Sequence, residues 1–222
     1  MLFSFWVQPA AGARYYEQQQ DFSESSVPKA SYRWDKNNDG DPLQWCVWKE
    51  KGVANKYYVW TKMAVQDWRR ALEEYTGSEG GWDMSVRYAP QKSGMAGDAG
   101  CDVRVYIYDT YKDFPGYPEQ TGAYTAVKYT GGVAMGATVY LSPRVLHGDG
   151  KSEIDLPGYA FRSSAVHEAG HVLGLGHMNA EKGYLMSPLF DFWEQKDQLP
   201  ITTLELSALA EVYGSGGFSA PQ

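Results

Sequence analysis

Histidine stands at positions 167, 171 and 177, and three of the four histidines in this 222-residue chain therefore fall in the run His167-Glu168-Ala169-Gly170-His171-Val172-Leu173-Gly174-Leu175-Gly176-His177. Histidines four apart on a helix stand about 40° apart around its axis and about one turn along it, so the rings of His167 and His171 can meet one ion. Zinc in catalytic sites takes three protein ligands and keeps a position open to water, whose pKa it lowers toward about 7. Gly174 lets the chain leave the helix in a backbone conformation that other residues resist, and three residues on, His177 can turn back as the third ligand. Glu168 directly follows the first ligand, which points it to the side of the open position. It is the candidate general base, taking the proton of the zinc-bound water and passing it to a leaving amine. The competing reading is a set of unrelated histidines on a buried apolar helix. Against it, with the residue frequencies of this chain, the five fixed positions recur by accident on the order of once in a hundred thousand such chains.

These residues need elements to hold them. A helix through Ala165, Val166, Ala169, Val172 and Leu173 carries the first two histidines, with Gly174 as its C-cap; residues 143–157 before it read as a polar loop. Residues 57–75 place Tyr57, Trp60, Thr61, Ala64, Val65, Trp68, Ala71, Leu72 and Tyr75 at steps of three and four, a long amphipathic helix closed by Gly77. Strands are expected at 43–48, with Leu43, Trp45 and Val47 on one face, and at 84–88, 103–108, 122–129 and 136–141. Thr202-Thr203-Leu204-Glu205 is a capping box that opens a last helix through Leu206, Leu209 and Val212 to Gly214, after which Ser215-Gly216-Gly217 reads as a frayed tail. No internal repeat is visible.

A net charge of −7 and a pI near 5.1 argue against nucleic acid or an anionic membrane surface as main partner. No apolar stretch approaches the roughly 20 residues of a membrane span. The length suits one domain with extended ends. Residues 1–13 hold a short apolar run (Leu2, Phe3, Phe5, Trp6, Val7) ending in Ala11-Gly12-Ala13, a partial fit to a signal-peptidase site without the usual basic residue ahead of the run. With the polar stretch 14–30 they form an N-terminal extension, read as signal remnant, pro-segment or linker. Cys46 and Cys101 permit one disulfide and lack metal-binding spacing. Asp35-x-Asn37-x-Asp39-Gly40 resembles the opening of a Ca2+ loop, but Cys46 stands where such a loop needs glutamate, which favours a surface turn.

HExxHxxGxxH is the signature of the metzincin metallopeptidases, which this chain resembles over most of its length. Tyr184-Leu185-Met186-Ser187-Pro188 matches their second mark, a methionine turn beneath the metal. Leu173-Gly174-Leu175-Gly176-His177, Met186-x-Pro188 and residues 209–214 look most like matrixins and their small prokaryotic relatives. Met178 departs from the serine or threonine typical of matrixins, and the absence of a tyrosine two residues beyond Met186 argues against an astacin- or serralysin-type site.

The resemblance implies an α+β fold, a metzincin-like (zincin) catalytic domain over 31–216 with a twisted mixed five-stranded sheet, two long helices and a C-terminal helix, then a tail at 217–222. It implies a zinc-dependent metalloendopeptidase with one catalytic Zn2+ on His167, His171 and His177. The protein or peptide substrate would lie as an extended strand along the sheet edge at 122–129. Side-chain preference would come from an apolar wall of Leu189, Phe190, Phe192 and Trp193, which could equally close the lower core. The second, structural zinc of matrixins is expected to be missing, since only His147 remains for it. No cysteine precedes Cys46, so the matrixin cysteine switch has no counterpart. In metzincins the strand carrying Cys46 neighbours the one that Cys101 precedes, so a Cys46–Cys101 disulfide is implied; two buried thiols are the alternative. A secreted or extracytoplasmic monomer is expected. Two rival readings are a catalytically weak zinc-binding interaction protein on a peptidase fold, and a zinc amidase acting on a non-protein amide.

Overall fold

Alternation of apolar and polar residues builds one mixed sheet. Its strands are β1 (Leu43–Lys49), β2 (Met84–Tyr88), β3 (Val103–Ile107), β4 (Ala123–Thr130) and β5 (Val133–Leu141), in the order β2-β1-β3-β5-β4. The pairs β1–β2, β1–β3 and β3–β5 are parallel, and β4 closes one edge antiparallel to β5. The structure is a computed structural model and describes residues 15–18, 31–36, 41–91, 100–116, 122–146, 152–178, 183–188 and 196–219.

Leu43, Trp45 and Val47 of β1, Val103, Val105 and Ile107 of β3, and Ala137, Val139 and Leu141 of β5 are buried in one core with α1 (Asn55–Thr76) and α2 (Gly158–Leu173). The buried stripe of α1 is Thr61, Ala64, Val65, Trp68, Ala71 and Leu72, the spacing of one helical face. Trp68 pins the two helices together, its indole N–H donating to the carbonyl of Val166 at 2.8 Å. The opposite faces of β1 and β3 pack a smaller cluster in which Cys46 and Cys101 form a disulfide, with Cα atoms 5.7 Å apart. The implied pairing is therefore present.

β5 starts at Val133, earlier than alternation alone marked, because Gly131 and Gly132 form a two-residue hairpin turn with φ of 59° and 81°. Positive φ at both central residues matches the twist of the flanking strands. Residues 143–157 are not all loop. β6 (Arg144–Leu146) and β7 (Glu153–Asp155) pair antiparallel, and three residues are too few for alternation to show. The capping box of α3 (Thr203–Tyr213) has both halves, Glu205 Oε2 accepting from the Thr202 N–H at 2.9 Å and Thr202 Oγ1 from the Leu204 N–H at 3.2 Å.

The chain after α3 does not fray where the sequence suggested. Phe218 is buried with its ring 5.3 Å from Trp82 and 5.5 Å from Tyr213, and its backbone N–H donates to the Gly81 carbonyl at 2.8 Å. Two pieces nearer the N-terminus also dock: Glu17 bridges to Thr202, and Arg33 to Val133 at the hairpin. Among the described residues no helix is long and apolar enough to cross a membrane.

Candidate metal centre

α2 carries His167 and His171 one turn apart and ends at Gly174, whose φ of 118° takes the chain out of the helix. The Leu175 N–H donates back to the Gly170 carbonyl at 3.0 Å, closing the turn that returns His177 toward the helix. His177 Nε2 lies 3.3 Å from Nε2 of His167 and 3.1 Å from Nε2 of His171. The three rings offer ligand nitrogens that all lie within 4.8 Å of one another.

The other nitrogen of each helical histidine is spoken for. His167 Nδ1 is 2.6 Å from the Leu185 carbonyl, and His171 Nδ1 is 2.7 Å from the Leu175 carbonyl. A carbonyl only accepts, so each Nδ1 carries the proton and each Nε2 presents a lone pair. One proton on His177 Nε2 could satisfy one of these neighbours but not both. A cation at the shared point satisfies all three. Tetrahedral zinc with Zn–N of about 2.05 Å sets its nitrogens about 3.3 Å apart, which the two close separations fit. Burial, joined by the neighbouring His171, holds His167 down to about 3; burial likewise holds His171 down to about 4 and lowers His177. The rings are thus neutral and ready to ligate at ordinary pH.

Met186 sits beneath this cluster. It is fully buried, its carbonyl accepts from the Met178 N–H at 2.9 Å, and the turn around it is closed by the Ser187 N–H donating to the Tyr184 carbonyl at 3.1 Å. The same turn presents the Leu185 carbonyl to His167. Gly170 leaves room for it: a Cβ there would lie 2.7 Å from Met186 Sδ and 3.2 Å from the Trp68 ring.

Glu168 is buried beside the histidines. The Thr125 hydroxyl on β4 lies 2.6 Å from its Oε2 and 3.3 Å from its backbone carbonyl. Burial raises the Glu168 carboxyl to about 8, with the Thr125 hydrogen bond pulling the other way.

Sequence reasoning missed the groups that hold the end of α2. The Tyr32 hydroxyl donates to the His171 carbonyl, Trp34 Nε1–H to Val172 at 2.8 Å, the Tyr213 hydroxyl to Leu173 at 2.8 Å, and the Ser31 N–H to Gly174 at 2.9 Å. These partners lie far along the chain from α2, and no local spacing announces them. Of the expected residues, His167, Glu168, His171, Gly174, His177 and Met186 come together. Leu189, Phe190, Phe192, Trp193, His147 and residues 37–40 of the calcium-like stretch lie outside the described residues.

A mixed sheet with an antiparallel edge strand, two packed helices and a three-histidine cluster, two on the second helix and one on the turn that follows it, define a metzincin-type fold. The matrixin family model matches residues 44–214. The chain belongs to the matrixin family, whose members are zinc metallopeptidases. Among curated proteins nothing matches. Among solved structures, the crystal structure of myroilysin is similar at 11% identity and a TM-score of 0.30, over 76% of this chain and 62% of that one. This chain thus spans less than two thirds of myroilysin's length.

Proposed function

We propose that this protein is a zinc-dependent metalloendopeptidase that hydrolyses peptide bonds of proteins, with His167, His171 and His177 holding one catalytic Zn2+ and Glu168 as general base and acid. The observation that carries the reading is the convergence of three neutral imidazoles beside a buried carboxylate, under an edge strand. Bound zinc would supply Lewis acidity, polarising the scissile carbonyl and bringing the pKa of water toward about 7. The chain's own groups do the rest. The carbonyls of Leu185 and Leu175 fix the tautomer and aim of His167 and His171. Glu168 takes the proton of the attacking water and delivers it to the leaving amine, and a carboxyl raised to about 8 can do both near neutral pH. β4, at the sheet edge, offers main-chain groups to a substrate laid alongside it as an extended strand. In this reading the apolar residues that follow Met186 in the sequence, Leu189, Phe190 and Phe192, would give the preference for a substrate side chain.

Residues 31–216 constitute the catalytic domain in this reading, with Phe218 packed onto its core and 1–30 as its extension. The Cys46–Cys101 disulfide supports an extracytoplasmic setting, where such bonds persist. The test is Glu168→Ala, which should keep one zinc per chain and cleave casein at least about 100-fold more slowly than the parent, the scale of general-base catalysis. Cleavage at the parent's rate would overturn the assignment of Glu168. Zinc uptake by a parent that cleaves no protein would instead make the chain a metal-binding interaction protein.

A further inference from the structure

We infer that Thr125 is a positioning residue for the general base, its hydroxyl fixing the Glu168 carboxylate so that Oε1 is the oxygen that meets water. The inference rests on Glu168 being that base. A glutamate has three rotatable side-chain bonds, and burial alone does not choose among its rotamers. Among the described residues, the partner that chooses is Thr125, whose Oγ1 lies 2.6 Å from Oε2. The hydroxyl has one hydrogen and two acceptors in reach, the carboxylate and the Glu168 carbonyl at 3.3 Å. The shorter bond, which becomes charge-assisted when Glu168 is ionised to act as base, wins. Oε2 is therefore turned toward Thr125, which assigns Oε1 to the water.

The bond survives the proton cycle. The proton leaves water for Oε1 and goes on to the amine nitrogen as the C–N bond breaks, while Oε2 stays an acceptor and Thr125 keeps its own hydrogen. Place matters as much as chemistry. Thr125 belongs to the edge strand, beside which an extended peptide would lie, and it reaches across to α2. One side chain thus ties the base to the strand that would register the substrate, so base and scissile bond move together.

Thr125→Val keeps the branched shape and removes the donor. A hydrogen bond to a charged group contributes roughly 1.5–3 kcal/mol, which converts to a kcat about 10- to 100-fold lower at about 1.4 kcal/mol per tenfold. KM for a fluorogenic peptide and zinc per chain should stay within about twofold, since neither depends on the aim of Oε1. Thr125→Ser retains the hydroxyl and should recover most of the lost rate. If Thr125→Val does not fold, Thr125→Ala, which asks nothing of the edge strand, takes its place in the comparison. The inference is overturned if the hydroxyl-free variant keeps the parent's kcat, if its defect lies in KM or in zinc content, or if Thr125→Ser is as slow as Thr125→Val. A parent that cleaves no peptide overturns the proposed function itself, whereas an active parent with an equally active Thr125→Val overturns this inference alone.

Discussion

His167, His171 and Glu168 are each neutral for the same reason, burial, yet they respond to pH with opposite sign. The two histidines are lowered from an ordinary 6.5 to about 3 and about 4. Below pH 6.5 the unfolded chain takes up protons that the folded chain refuses, so their contribution to stability is full above 6.5 and is lost as pH falls through those lower values. Glu168 is raised from 4.5 to about 8, so its contribution is full below 4.5 and is lost as pH rises through about 8. Chelator-treated protein should therefore show its highest Tm near pH 6.5, falling on both sides. Glu168→Gln removes the alkaline limb: between pH 6.5 and 8 its Tm should stay level where the parent's declines, and its acid limb should be the steeper. Thermal melts of both chelated proteins across that range decide it. A Glu168→Gln profile that declines above pH 6.5 as the parent's does would place the alkaline limb on another group.

At the scale of elements, the metal helix is held at both ends of its working stretch, by Trp68 on Val166 and by the groups that cap its last carbonyls. Tyr213 is the joint of that cap. Its hydroxyl accepts from the Trp34 N–H at 3.0 Å and donates to the Leu173 carbonyl at 2.8 Å, all of it buried. Tyr213→Phe keeps the ring among Trp82 and Phe218 but leaves two buried backbone groups unmade, at about 1–3 kcal/mol each. Calorimetry should show Tm lower by roughly 4–24 °C, at about 2–4 °C per kcal/mol for a chain of this length; an unchanged Tm would mean that the cap does not hold the helix. This cap marks where the sequence stopped being readable. His167, His171, Gly174 and His177 were legible because one local pattern encodes them, and α1 and the capping box because their spacing is helical. Thr125, Trp34 and Tyr213 were not, because their roles arise only when β4, the 31–36 segment and α3 fold onto α2. The β6–β7 pair was too short to alternate, and Phe218 lay behind a glycine-rich stretch that looked like an end.

Across the whole molecule the sheet separates two regions, the helices and the metal-binding cluster on one face and the Cys46–Cys101 bond on the other. Spacing alone could not pair these cysteines; β1 and β3 run side by side in parallel, and Cys101, just before β3, comes to pack against Cys46 of β1 with Cα atoms 5.7 Å apart. The bond closes a loop with a sequence separation of 55. In the chain-entropy account, a loop of that size restricts the unfolded state by about 4 kcal/mol. The double variant Cys46→Ala/Cys101→Ala should therefore melt roughly 8–16 °C lower than the parent. Because the loss acts on the unfolded chain and the bond lies across the sheet from the histidines, the folded variant at 25 °C should still bind one zinc per chain and cleave at a rate close to the parent's. Melting curves and zinc stoichiometry on the same preparations separate the two expectations. A variant that is folded but fails to bind zinc would show that the disulfide reaches through the sheet to shape the centre, and a Tm within about 3 °C of the parent's would show that β1 and β3 are held without it.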